Sequence, residues 1–109
     1  MRTVLAVVAA LAIPSACVAE TMVASFYGRE SGPKTASGAR FDPNGMTAAH
    51  RTLPFGTKLR VCYAGCVVVV VNDRGPAAWT GRNLDLSEGA ALAIGLKARG
   101  VGPVSVERL

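Results

Sequence analysis

The sequence predicts a mainly β domain, a small barrel or sandwich with one or two short helices. Three observations lead there: apolar stretches are short, glycine and proline punctuate them, and only one segment carries helix-capping chemistry. Residues 22–27 read as a first strand. Residues 28–45 read as a loop, with Gly28, Gly32, Pro33, Gly38, Pro43 and Gly45. Residues 46–49 form a short apolar stretch, and Pro54-Phe55-Gly56 a turn. Residues 58–61 alternate, and residues 67–71 are five consecutive valines. Such a run, apolar on both faces, predicts a strand buried on both faces. Residues 72–81 are loop-like again. Asp85-Leu86-Ser87-Glu88 predicts a helix start capped by Asp85 or Ser87. The helix runs to about residue 94, and Gly95 ends it. Residues 101–109 alternate as a closing strand.

The 109-residue chain allows one domain. Its start reads as a secretory signal peptide over residues 1–19. Arg2 supplies the positive end, residues 4–13 are an unbroken apolar run, and Pro14 and Ser15 break it. The run is short of the ~20 residues a membrane span needs. The rival, a buried N-terminal core helix, lacks a matching helical surface downstream. Cys17-Val18-Ala19 favours cleavage before Glu20, with lipidation of Cys17, and so an outer-membrane anchor, as the alternative. Residues 20–109 then form the exported domain. Removing residues 1–19 takes away Arg2 and no acid, so the formal charge falls from +5 to +4. A periplasmic or cell-envelope location follows.

Export implies an oxidising compartment. Cys62 and Cys66 flank Tyr63-Ala64-Gly65 between two strand-like segments, so a hairpin with a left-handed Gly65 and a Cys62–Cys66 disulfide is expected. Closing so short a loop contributes about 2 kcal/mol in the chain-entropy model. A metal centre is the rival, but it needs four ligands and His50 is the only histidine. No metal and no cofactor are expected.

The informative wording lies in residues 46–57, MTAAHRTLPFGT, residues 71–76, VNDRGP, and Asp85-Leu86-Ser87, with ASFYG at 24–28 and TASG at 35–38. Together these motifs resemble the rare lipoprotein A (RlpA) family, in the same order and over nearly all of residues 23–109. The resemblance implies a small six-stranded double-psi β-barrel. It also implies an endolytic lytic transglycosylase of peptidoglycan, which cuts between N-acetylmuramic acid and N-acetylglucosamine and leaves a 1,6-anhydro end. Larger family members often carry a further C-terminal peptidoglycan-binding module; this sequence is expected to act without one, as a monomer.

Glycosidic cleavage needs an acid at the leaving oxygen. In a lytic reaction the sugar's own 6-hydroxyl attacks, so one carboxyl group can serve as acid and then as base. Asp73 is the candidate, since it directly follows a rigid apolar strand. An aspartic acid donating a proton near pH 7 needs surroundings that disfavour its charge, such as partial burial. Arg74 would oppose this at close range, so it is expected to point to substrate or to a backbone carbonyl. Taken bare, Asn72-Asp73-Arg74-Gly75-Pro76 is also a tight turn. His50 matches the family's active-site histidine and is the second catalytic candidate; it can position the sugar, share a proton with Asp73, or bond a main-chain carbonyl. Tyr27, Thr35, Asn72, Arg74 and Trp79 are the candidate substrate-binding residues. Trp79 can stack on a sugar or plug the barrel mouth.

One position departs from the family. A glutamate of its proposed catalytic set is replaced by Ala39, whose methyl group transfers no proton. Glu30 is a possible substitute, and Asp42 reads as a loop-forming residue. The alternative function is therefore a non-catalytic, expansin-like module that binds wall glycan. Basic residues spread through residues 29–82 suit a carboxylate-bearing glycan. Export, and six aromatics that do not interleave with basic runs, exclude nucleic acid as the partner.

Overall fold

Six strands close into a barrel: β1 (Glu20–Tyr27), β2 (Thr47–His50), β3 (Lys58–Cys62), β4 (Cys66–Asp73), β5 (Leu84–Ser87) and β6 (Gly102–Arg108). The computed structural model describes residues 18–109. The expected targeting run and Cys17 lie outside the described residues. Around the barrel the order is β1-β5-β2-β4-β3-β6, and β1/β5 and β2/β4 are the parallel pairs. Alternation decides what enters the barrel: Ala24, Ala48, Leu59, Val61, Val69, Val71, Leu84, Leu86, Val104 and Val106 are buried in one core.

Three readings need correction. The valine run is buried on one face only. Val69 and Val71 are buried, whereas Val68 is 41% exposed, because the barrel turns alternate residues outward. Residues 84–87 form β5 rather than only a helix start. Ser87 does both jobs: it ends β5, and its hydroxyl accepts from the Ala90 N–H at the start of helix α1 (Glu88–Ala93). Gly65 is not left-handed. A Cβ there would only reach ordinary contact with the Ala93 carbonyl at the end of α1, 3.4 Å away.

The Cys62–Cys66 disulfide is present and joins the paired ends of β3 and β4. Helix α1 fastens the long β1–β2 connection. Gly89 donates to the Pro43 carbonyl at 2.7 Å, and a Cβ at Gly89 would meet Asn44 backbone at 2.8 Å. That anchor holds the 28–46 connection against the barrel, where the Ala36 and Ser37 N–H groups reach Asp73 and Asn72 at the end of β4.

Candidate active site

A β-bulge aims Asp73. Ala48 pairs with Val71 but Ala49 with Asp73, so β4 carries one extra residue there. Without it Asp73 would follow Val69 and Val71 into the core. The bulge turns it instead to the outer face, beside the second small cluster of Tyr27, Phe41 and Ala49. Its carboxylate accepts from the Tyr27 hydroxyl at 3.1 Å, the Ala36 N–H at 2.8 Å and the Arg74 N–H at 2.9 Å. The Tyr27 ring stacks on Phe41 with centroids 4.7 Å apart. Burial, and then the adjacent Asp73 charge, push the Tyr27 phenol well above its usual pKa, so it stays a proton donor.

A second carboxyl group shares this face. Ser25 pairs with Asp85, Asp85 with Ala49, and Ala49 with Asp73, one row across four strands. Two strand spacings of about 4.8 Å place the two aspartate backbones roughly 10 Å apart. Ser25 donates to Asp85 at 2.9 Å and accepts from Arg82 at 2.6 Å. Burial raises the Asp85 pKa against the opposing Ser25 hydrogen bond and Arg82 charge; Glu30 and Asp73 add to the rise. The sequence reading has Asp85 only as a helix-cap candidate, not as a site residue. The available signal was the Leu84-Asp85-Leu86 alternation, which puts one carboxyl on the face opposite two core leucines.

His50 stands elsewhere. It pairs with Leu84 on β5 and shares a face with Ala48, both core residues, so it points to the barrel mouth. There it lines a cavity of about 310 Å³ with Glu20, Met22, Leu53, Leu59 and Arg108. Its Nδ1 accepts from the Thr52 and Leu53 N–H groups, both at 3.1 Å. Burial, then Arg51 and Arg74, lower its pKa. No hydrogen bond joins His50 to Asp73 among the described residues. The two connect only through the chain: Arg74 donates to the Leu53 carbonyl at 2.8 Å and to the His50 carbonyl at 3.3 Å.

Of the remaining candidates, Arg74 turns its guanidinium from the Asp73 carboxylate to main-chain carbonyls, those of Leu53, His50 and Asp73, and over the Phe55 ring at 3.9 Å. Thr35 is buried, and its hydroxyl serves its own loop through the Ala39 carbonyl and Ser37. The Asn72 carbonyl accepts from Ser37, while its side-chain oxygen is buried without a partner. Trp79 is 88% exposed, which excludes plugging the barrel mouth. Glu30 caps the Gly28 N–H and Asp42 the Asn44 N–H. Among the described residues no cluster of three His, Cys, Asp or Glu side chains could hold a metal ion.

Strand order and parallel pairs define a double-psi β-barrel domain, with a bulge-directed carboxylate on its outer face. The family described as Lytic transglycolase matches residues 19–106. The chain belongs to this RlpA-like family. It is 53% identical over 93 residues to a Nostoc protein, "Probable endolytic peptidoglycan transglycosylase RlpA", covering 80% of this chain and 25% of that one. A Synechocystis protein of the same description is 52% identical, over 78% of this chain and 27% of its own. The chain thus spans about a quarter of these relatives' length. Among solved structures, a point variant of Clavibacter michiganensis expansin in complex with cellohexaose matches with TM-score 0.67 and 25% identity, over 84% of this chain and 50% of that one.

Proposed function

We propose that the chain is an exported cell-envelope enzyme that cuts peptidoglycan glycan endolytically, between N-acetylmuramic acid and N-acetylglucosamine. The row Ser25-Asp85-Ala49-Asp73, which sets two aspartates on one face, carries this reading; the relatives' names support the substrate. The scissile bond lies between the two carboxyl groups. Asp85, whose burial disfavours its charge, gives a proton to the glycosidic oxygen as the C1–O bond breaks. The muramyl 6-hydroxyl then attacks C1, and its proton passes to the Asp73 carboxylate. No water enters the product, which keeps a 1,6-anhydro ring. Asp85 thus supplies the acid absent at Ala39, and the work of the single carboxyl expected from the sequence is shared by two.

In this reading Tyr27 orients Asp73, and Trp79 offers an exposed ring for a sugar to stack on. His50 is a positioning residue that folds the 50–54 turn on which Arg74 rests. Thr35 and Asn72 shape the loop that brings the Ala36 N–H to Asp73. The chain acts as a monomer, with residues 1–19 as its export signal.

Release of soluble glycan from peptidoglycan by Asp85→Asn and Ala39→Glu tests this division. Loss of release in the first, and little gain in the second, are expected. A large gain with Ala39→Glu, from an inactive native chain, would support the second reading, a glycan-binding wall module, which Ala39 favours.

A further inference from the structure

Beside the carboxylates, residues 29–43 form an open cavity of about 530 Å³ lined by Arg29, Pro33, Arg40, Phe41, Asp42 and Pro43. Its floor is continuous with the site, because Phe41 stacks on Tyr27 and Tyr27 donates to Asp73. Its charge is unusual for a fold element. Lys34 and Arg40 face each other in an isolated antiparallel bridge, held by Thr35 N–H to Ala39 and Phe41 N–H to Pro33. This is the closely spaced, non-hydrogen-bonded kind of pair, and like charges there oppose folding. The ion pairs among the described residues are Arg60–Glu107 and Lys97–Glu88, so neither Arg29, Lys34 nor Arg40 is neutralised by one. Both acids of the loop are engaged with main-chain N–H groups, Asp42 with Asn44 and Glu30 with Gly28. All three cations are solvent-exposed, and the like-charge Lys34–Arg40 pair is the one feature here that works against folding; an anionic ligand would relieve it.

We propose that this cavity binds a carboxylate carried by the muramyl unit, with Arg29 and Arg40 as its ligands and Lys34 adding to the field. The identity of the ligand rests on the peptidoglycan reading; the cavity's preference for an anion does not. In muramic acid the carboxylate-bearing lactyl group hangs from the ring that is cut, so a carboxylate one aromatic stack from Asp73 fits that ring's placement. Arg guanidinium groups meet carboxylates in paired, charge-assisted bonds. The carboxylate is either the free lactyl group of a peptide-stripped strand or an acid of the stem peptide.

The test measures binding, without requiring cleavage, by calorimetry. The probes are a neutral N-acetylglucosamine oligomer, a peptide-stripped muramyl oligomer and a peptide-bearing one, with the native chain and with Arg29→Gln/Arg40→Gln. The inference predicts a loss of affinity for carboxylate-bearing probes of about tenfold for each arginine, ~1.4 kcal/mol, and none for the neutral oligomer. Loss on the stripped probe assigns the lactyl carboxylate; loss confined to the peptide-bearing probe assigns the stem peptide. Equal losses on all three probes, or none, overturn the inference. A salt titration of the native chain is the check that needs no variant: rising salt must weaken binding of the carboxylate-bearing probes and spare the neutral one. Anion-selective binding without any cleavage would leave this site standing and remove the enzymatic reading.

Discussion

Replacing Tyr27 by Phe removes one hydroxyl and leaves the ring stacked on Phe41. The lost contact is the 3.1 Å hydrogen bond to Asp73. Hydrogen bonds to charged groups contribute about 1.5–3 kcal/mol. This one is long for an O–H donor, and Asp73 keeps the Ala36 and Arg74 N–H groups, so a loss of about 1 kcal/mol is expected. For a domain this small that lowers Tm by about 4–8 °C. The alkaline limb is the sharper readout. An unfolded tyrosine ionises near pH ~10, whereas the folded Tyr27 keeps its proton because burial and Asp73 disfavour its anion. The folded state therefore binds more protons above that pH. The contribution of Tyr27 is fully present below the unfolded pKa and drains away as pH rises beyond it, by at most about 1.4 kcal/mol per pH unit. Urea unfolding of both proteins from pH 7 to 11 reads this directly, and Tyr27→Phe must have the shallower alkaline decline. Parallel curves, or no loss at pH 7, would refute the Tyr27–Asp73 contact as described.

Asp85→Asn runs the same logic on the acid side. Burial raises the Asp85 pKa, so its ionisation costs native stability as pH climbs above the usual aspartate range; Tm of the variant relative to the native chain should rise between pH 3 and 7, and a constant difference would contradict this. Cys62→Ser/Cys66→Ser should cost about 2 kcal/mol by denaturant titration. Trp79→Ala should leave Tm unchanged, since the ring is 88% exposed, and weaken glycan binding by about 0.5–1.5 kcal/mol if the ring stacks on sugar.

Much of the barrel was legible because alternation and turn residues are local signals. The segments at residues 22–27, 58–61, 67–71 and 101–109 all became strands. Leu84–Ser87 is half legible: four residues are too few to separate a strand from a helix cap, and here Ser87 serves both. The one-sided burial of the valine run was hidden, because β-branched residues favour strands whichever face they occupy. The site was harder. Asp73 stood out through its motif, but its direction depends on a bulge opposite Ala48 and Ala49, and a one-residue offset leaves no trace in composition. The same parity sends His50 to the other face. That separation follows from register, which a sequence read strand by strand does not contain.

Cleavage at the outer face is expected to be lytic. It is tested most directly by incubating residues 20–109 with peptidoglycan and weighing the soluble products by mass spectrometry, with Asp73→Asn as control. Anhydro-ended fragments, absent from the Asp73→Asn digest, are the predicted result. Fragments with ordinary reducing ends, or anhydro ends that persist in Asp73→Asn, would contradict the account.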